Sequence, residues 1–281
     1  MTTHTANRVA PSTAEHAPAN PAETYERYMV PALFAPAAEH LLAVAGLRPG
    51  EHVLDVGTGT GIVARLAAPN VAPGGTITGI DASLDMLSVA RARALEEGLA
   101  IEWQECRAES LPFPDERFNL VVSQFALMFF ADRQTALDEM RRVLVPGGRM
   151  VLSVFASIDR HPFYVALDEA IARRLGTSAV GSIFALGDPD GLRDALVQAD
   201  LREVVIEPFS ITVHFPNPAS FLAGEIDVDT AAIPAMQGLD SSARRDLTAA
   251  IQQDMAEPLR AVTEGDFVHL PFEVLIARAR R

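Results

Sequence analysis

Between residues 53 and 155 the chain alternates short apolar runs with connections long enough to hold a helix. Val53–Val56 reads as a buried strand and Ile62–Ala68 begins a helix. "GGTITGID" is a second strand, and Ser83 is placed to cap the helix that carries Met86, Leu87 and Ala90. Ile101–Glu105 is a third strand and "RFNLVVSQF" a fourth. "DRQTALDEMRRVL" sets Leu137, Met140 and Leu144 on one helical face, and "VPGGRMVLSVF" is a turn and a fifth strand. Strands joined by helix-length connections predict βαβ units and a parallel sheet.

Upstream, "PAETYERYMVPALFAPAAEHLLAVAGLRPG" reads as helical segments around Pro31 and Pro36. Downstream of Phe155 the rhythm changes. Helical stretches near 162–175 and 189–199 precede two strand-like runs, "REVVIE" and "SITVHF"; a polar helical stretch covers about 217–264, and "FEVLIARA" closes as a final strand. The expected organisation is a tail over 1–20, a helical segment over 21–50, a core over 51–155, and a completion of the sheet over 156–281. Residues 156–200 and 216–265 are then helical additions over one end of the sheet.

Composition narrows the function. The net charge of −14 repels phosphate backbones, so nucleic acid is not an expected partner. One cysteine, Cys106, excludes an intrachain disulfide and a cysteine-rich metal site, and the seven scattered histidines offer no metal triad. The first twenty residues lack the apolar and charged regions of a secretory signal and read as a flexible tail. The run "LVVSQFALMFFA" is too short and polar to span a bilayer, so the expectation is a soluble cytoplasmic protein without membrane insertion.

The segment "VLDVGTGTGIVA" carries the chemistry. Gly57, Gly59 and Gly61 sit at the carboxyl end of the first strand, where open parallel sheets bind ligands. Glycine allows positive φ and lets main chain approach a ligand without a Cβ between them. Gly59, Gly61 and Ala64 also satisfy a dinucleotide G-x-G-x-x-A spacing, so an NAD-dependent oxidoreductase stays open at this point. Asp81 does not discriminate, because an acid there suits any adenosine ribose with free hydroxyls.

Asp55-Val-Gly-Thr-Gly-Thr-Gly61, Asp81, "RAESLPFPDERF" and "RRVLVPGGRMVLSVF", in this order and at these spacings, resemble the class I S-adenosylmethionine-dependent methyltransferases, in particular the type 11 group that includes quinone-biosynthesis enzymes. The resemblance runs from about Tyr25 to Phe155. It implies an α/β fold: a doubly wound, Rossmann-like, seven-stranded and mostly parallel sheet with an antiparallel last strand and a helical lid. It also implies S-adenosylmethionine as cofactor. Gly57, Thr58, Gly59 and Gly61 would pass beneath the methionine and ribose, with Asp55 anchoring the loop and the amino group. Asp81 would accept the ribose hydroxyls, Ala82 and Met86 would flank the adenine, and Ala108 and Glu109 would lie along its edge. Ser123 and Gln124 would face the methionine, and Tyr28 would close over the cofactor. Arg107 stands where the group commonly has Asp, so Glu109 or a carbonyl must serve the adenine amino group; Asn119 replaces a usually structural Asp. A cofactor-binding protein without methyl transfer is a further alternative.

Methyl transfer from a sulfonium needs alignment and exclusion of water, and a base only where the nucleophile must lose a proton. His161, in "DRHPF" after the fifth strand, is the candidate base; His214 and His269 are weaker ones. Phe163, Tyr164, Phe184, Phe215 and Phe221 in the additions suit a lid around an apolar small-molecule acceptor.

Overall fold

The computed structural model describes residues 20–178, 180–230 and 239–281; the tail expected over the first nineteen residues lies outside them. Strands β1 (His52–Val56), β2 (Thr76–Asp81), β3 (Glu102–Glu105), β4 (Phe118–Gln124) and β5 (Leu144–Phe155) form the parallel part of one sheet. β6 (Arg202–Pro216) and β8 (Phe267–Arg280) complete it, in the order β3-β2-β1-β4-β5-β8-β6, and β8 runs antiparallel to both neighbours. The architecture is the doubly wound sheet with an antiparallel last strand. An eighth strand, β7, is only Thr263–Glu264, the near arm of a hairpin onto β8.

Two strand expectations are corrected. "REVVIE" and "SITVHF" are halves of one fifteen-residue strand running through Pro208. A strand tolerates proline where no neighbour needs its N–H, and β6 is the edge of the sheet. The last strand is also longer than "FEVLIARA": it starts at Phe267, because β6 offers a partner along that whole length.

Helices begin and end where their sequences allow. Ser83, Asp132, Asp188 and Asp240 each accept a hydrogen bond from a first-turn amide, and Gly46 and Gly176 end helices in the left-handed conformation. Pro31 lies inside the N-terminal helix. There the turns Tyr25–Phe34 are wound as π-helix, which relieves the clash and the missing donor that proline brings to an α-helix. From Ala35 to Ala45 the helix is regular and buries Ala37, Ala38, Leu41, Leu42 and Ala45 against the sheet. By length and composition alone Pro21–Ala45 could cross a membrane; here one face packs on β4, β5 and β8.

The additions divide differently from the expected 156–200 and 216–265. Pro189–Gln198 packs on β6 and β8 as an ordinary layer of the sheet. Pro162–Leu175, Pro218–Thr230 and Ser241–Asp254 pack on one another instead, and Arg174 binds Asp254 through two hydrogen bonds of 2.8 and 3.0 Å.

Candidate cofactor site and its roof

The glycine loop is fixed by two carboxylates. Asp55, 1% exposed, ends β1 and accepts hydrogen bonds from the Thr58 hydroxyl (2.5 Å) and the Ala64 amide (3.2 Å) with one oxygen. Its other oxygen, Oδ1, is buried without a partner. Asp81, at the end of β2, accepts from the Gly59 amide (2.8 Å) and the Ser83 amide (2.9 Å). The loop is thereby tied across the ends of two neighbouring strands.

Gly57, Gly59 and Gly61 all have positive φ. A Cβ on Gly57 would overlap Ala126, and one on Gly61 would lie 2.5 Å from the ring of Trp103. Trp103, on β3, also fills the space under Gly79. The glycines therefore answer to packing beneath the loop as well as to a ligand above it.

Burial pushes Asp55 up to about 7, against the pull of the Thr58 and Ala64 hydrogen bonds. The folded value thus lies above that of an unfolded aspartate, about 3.9. Stability from this group is full below pH ~4 and is lost as pH rises through about 7, because only the unfolded chain releases the proton easily. Asp55→Asn should flatten the fall in melting temperature between pH 4.5 and 8; an unchanged slope would contradict the assignment.

A roof covers the loop, and it is not built on Tyr28. Tyr28 is 50% exposed and stacks with Arg27 along a groove shared with Ser88, Val89 and Arg93. Tyr25, one turn earlier, approaches Gly59 and packs on Phe34 with ring centroids 4.8 Å apart. Both tyrosines lie in the π-helical stretch Tyr25–Phe34, and of the two it is Tyr25 whose hydroxyl lies near the glycine loop. Burial, followed by the nearby Asp81, Glu26 and Asp55, raises the Tyr25 hydroxyl above the ordinary tyrosine range and keeps it protonated.

Glu26 latches this roof. It is 8% exposed and receives 2.7 Å hydrogen bonding from Arg65, itself 7% exposed on the helix that follows the loop; Arg65 also binds Glu97. The latch was not legible in the sequence, although an arginine among the apolar residues of "GIVARLAA" was an available signal.

At the end of β4, Gln124 donates to the Phe34 carbonyl (2.9 Å), and its Oε1 is buried without a partner. Ser123 donates to the Val56 carbonyl (2.8 Å), so its hydroxyl hydrogen serves the sheet. Phe125 follows in the left-handed conformation (φ 49°), held by its amide on Ser153 and by stacking on Phe155 at 4.3 Å. Strain of this kind in a non-glycine residue persists where surroundings enforce it, commonly beside a site. Ala82 is exposed, Met86 half-buried and Ala108 buried.

Two expected roles change. Glu109 accepts from the amides of Ala131 (2.8 Å) and Asp132 (3.3 Å) and pairs with Arg107. It fastens the loop after β4 rather than offering a free acceptor. His161 is 2% exposed, and both ring nitrogens are engaged: Nδ1 with the Ser157 carbonyl (3.1 Å) and Nε2 accepting from the Glu273 amide (3.1 Å). Burial holds its pKa below the ordinary histidine value. It is a neutral pin between β5 and β8, without a free nitrogen for proton transfer. His161→Ala should cost about 1–3 kcal/mol of stability by stranding the Glu273 amide, with S-adenosylhomocysteine affinity unchanged. Denaturant melts and calorimetry measure the two quantities, and a loss of affinity without a loss of stability would restore a site role. His214 and His269 face each other across β6 and β8, with their Nδ1 atoms 2.8 Å apart. Among the described residues no cluster of three or more His, Cys, Asp or Glu is placed to hold a metal.

Comparison with known proteins places the segment that carries the loop in a family. Residues 54–152 match a family described as "Methyltransferase domain". An uncharacterized protein of Mycobacterium tuberculosis is 39% identical over 120 residues, 43% of this chain and 43% of that one. The ubiquinone/menaquinone biosynthesis C-methyltransferase UbiE of Cupriavidus taiwanensis is 40% identical over 117 residues, 42% of this chain and 48% of that enzyme. The match thus spans under half the length of these curated relatives. Among solved structures, a Bacillus halodurans protein superposes with a TM-score of 0.59 at 24% identity, over 86% of this chain and 97% of that one, a likeness of fold. The glycine loop, its two carboxylates and the matched segment together make residues 54–152 a class I S-adenosylmethionine-dependent methyltransferase domain of the type 11 group.

Proposed function

We propose that the protein transfers a methyl group from S-adenosylmethionine to a small apolar acceptor by in-line displacement. The observation that carries this reading is a pair of buried, unpartnered acceptors at the ends of β1 and β4: Asp55 Oδ1 and Gln124 Oε1. An unfilled buried polar atom costs about 1–3 kcal/mol, and an ammonium, with three N–H donors, is a group that such acceptors take. The methionine end of the cofactor has that group, so the residues present fit it. Gly57, Thr58, Gly59 and Gly61 then provide the floor, Asp81 accepts from the ribose, and Ala82, Met86 and Ala108 flank the adenine. Tyr25 takes the closing position expected of Tyr28.

The cofactor supplies an activated methyl on a sulfonium. The chain's part is to position the acceptor and keep water out; orientation alone contributes about 7–11 kcal/mol. Tyr25, Phe34, Phe125 and Phe155 form a continuous aromatic wall beside the loop, which suits an apolar acceptor. The likeness to a quinone-biosynthesis C-methyltransferase favours carbon as the methylated atom. The acidic net charge disfavours nucleic acid as substrate. Ala35–Ala45 buries its apolar face on the sheet, which supports reading this helix as part of the fold and the protein as soluble.

The test is incubation of purified protein and S-adenosylmethionine with fractionated metabolites, followed by mass spectrometry for products heavier by one CH₂. Such a product in an apolar fraction supports the reading. Cofactor binding without any product would favour the non-methylating alternative, and stabilisation by NAD alone would favour the oxidoreductase.

A further inference from the structure

Toward the end of the sheet opposite the glycine loop, positive charge gathers in a chain whose net charge is −14. Arg149 on β5, Arg280 on β8 and Arg202 on β6 stand directly opposite one another across three neighbouring strands, and Arg278 lies two residues from Arg280 along β8. Like charges placed directly opposite in a sheet repel, so each needs a counter-charge. Three have one. Arg149 holds Glu51 through two hydrogen bonds of 2.8 Å, Arg280 pairs with Glu203 at 3.0 Å, and Arg202 lies 3.8 Å from Asp200. Arg278 is exposed and makes no ion pair or hydrogen bond among the described residues.

Arg149, Arg278 and Arg280 line one concavity of about 100 Å³, together with Glu203 and Val205. A guanidinium carries five N–H donors and no acceptor. Those of Arg278 are unused, while Arg280 gives one to the Gly147 carbonyl and faces Glu203. The Arg280–Glu203 pair is solvated, at 44% and 74% exposure, and a pair of this kind contributes little and yields to a stronger partner. Glu203 stands at a break in the β6 register with φ 51°, and a bulge re-aims the side chain it carries. It is the one carboxylate among the residues that line the concavity.

We infer that Arg278 and Arg280, with Arg149 as a fixed positive wall, form a binding site for a small phosphate-type oxyanion, either inorganic phosphate or the phosphate group of a monoester, which takes the place of Glu203. A guanidinium fork matches paired phosphate oxygens, and hydrogen bonds between ionised partners are the strong ones. The concavity is small, which suits a single anionic group rather than a nucleic-acid strand, and the acidic surface at large opposes the strand as well. The site stands apart from the glycine loop and does not depend on the methyl-transfer reading.

The experiment uses the full chain and two probes, inorganic phosphate and glycerol 3-phosphate, titrated by calorimetry and thermal shift against chloride at equal ionic strength, with and without S-adenosylhomocysteine. Phosphate or the monoester should bind saturably and raise the melting temperature beyond the chloride control. The tighter of the two names the source. Arg278→Gln should weaken that binding at least about tenfold, as expected for loss of a charged hydrogen-bonding partner. Glu203→Gln should strengthen it about twofold to fivefold, because the competing carboxylate is gone. Arg173→Gln, on an exposed helix face, should leave it unchanged. No saturable binding beyond chloride, full affinity in Arg278→Gln, or an equal loss in Arg173→Gln would overturn the inference. Binding that S-adenosylhomocysteine abolishes would place the anion at the glycine loop and overturn it too. If Arg278→Gln does not fold, Arg278→Lys decides: it keeps the charge but not the fork, and should still lose about threefold or more.

Discussion

Replacing Glu26 by alanine should lower stability by about 3 kcal/mol and weaken S-adenosylhomocysteine binding, because it strands a buried guanidinium. Arg65 is 7% exposed and has two partners, Glu26 at 8% exposure and the half-exposed Glu97. Removing the buried partner leaves a charge whose desolvation is only partly offset by Glu97. The latch also holds Tyr25, the next residue, over Gly59. Loss of the latch therefore reaches the cofactor through the roof rather than through a direct contact. Glu97→Ala is the control: its carboxylate is largely solvated, so the cost should stay below about 1 kcal/mol. Urea melts and calorimetry on the two variants make the comparison. Equal costs would show that the latch is ordinary surface electrostatics.

Asp81→Ala should weaken S-adenosylhomocysteine binding by roughly one to two decades, and Glu109→Ala should barely change it. Asp81 holds the Gly59 and Ser83 amides and so shapes the loop from its own side chain. Losing a charged hydrogen-bonding partner costs about 1.5–3 kcal/mol, which converts to that range. Glu109 spends its carboxylate on the Ala131 and Asp132 amides, so its loss should loosen the loop after β4 and lower the melting temperature slightly. Similar small changes in affinity from both substitutions would argue against Asp81 as the ribose acceptor.

The parallel core was legible because its signals are local. Apolar runs of strand length, a capping serine at 83 and a glycine loop each follow from a few neighbouring residues. What the sequence hid depends on contacts between distant segments. That Tyr25 rather than Tyr28 lies near Gly59 depends on how the segment Tyr25–Phe34 winds and packs, which its local sequence does not state. The fate of His161 follows from the Glu273 amide, more than a hundred residues away, which consumes its second nitrogen. The single strand through Pro208 follows from the edge position of β6, which only the full strand order reveals.

The central claim is that the glycine loop, Asp55, Asp81 and Gln124 form a site for S-adenosylmethionine. The most direct measurement is isothermal titration of the purified protein with S-adenosylhomocysteine, in parallel with NAD. The account predicts saturable one-to-one binding of S-adenosylhomocysteine, strongly reduced in Asp81→Ala, and no heat with NAD. Saturable binding of NAD with no response to S-adenosylhomocysteine would contradict it.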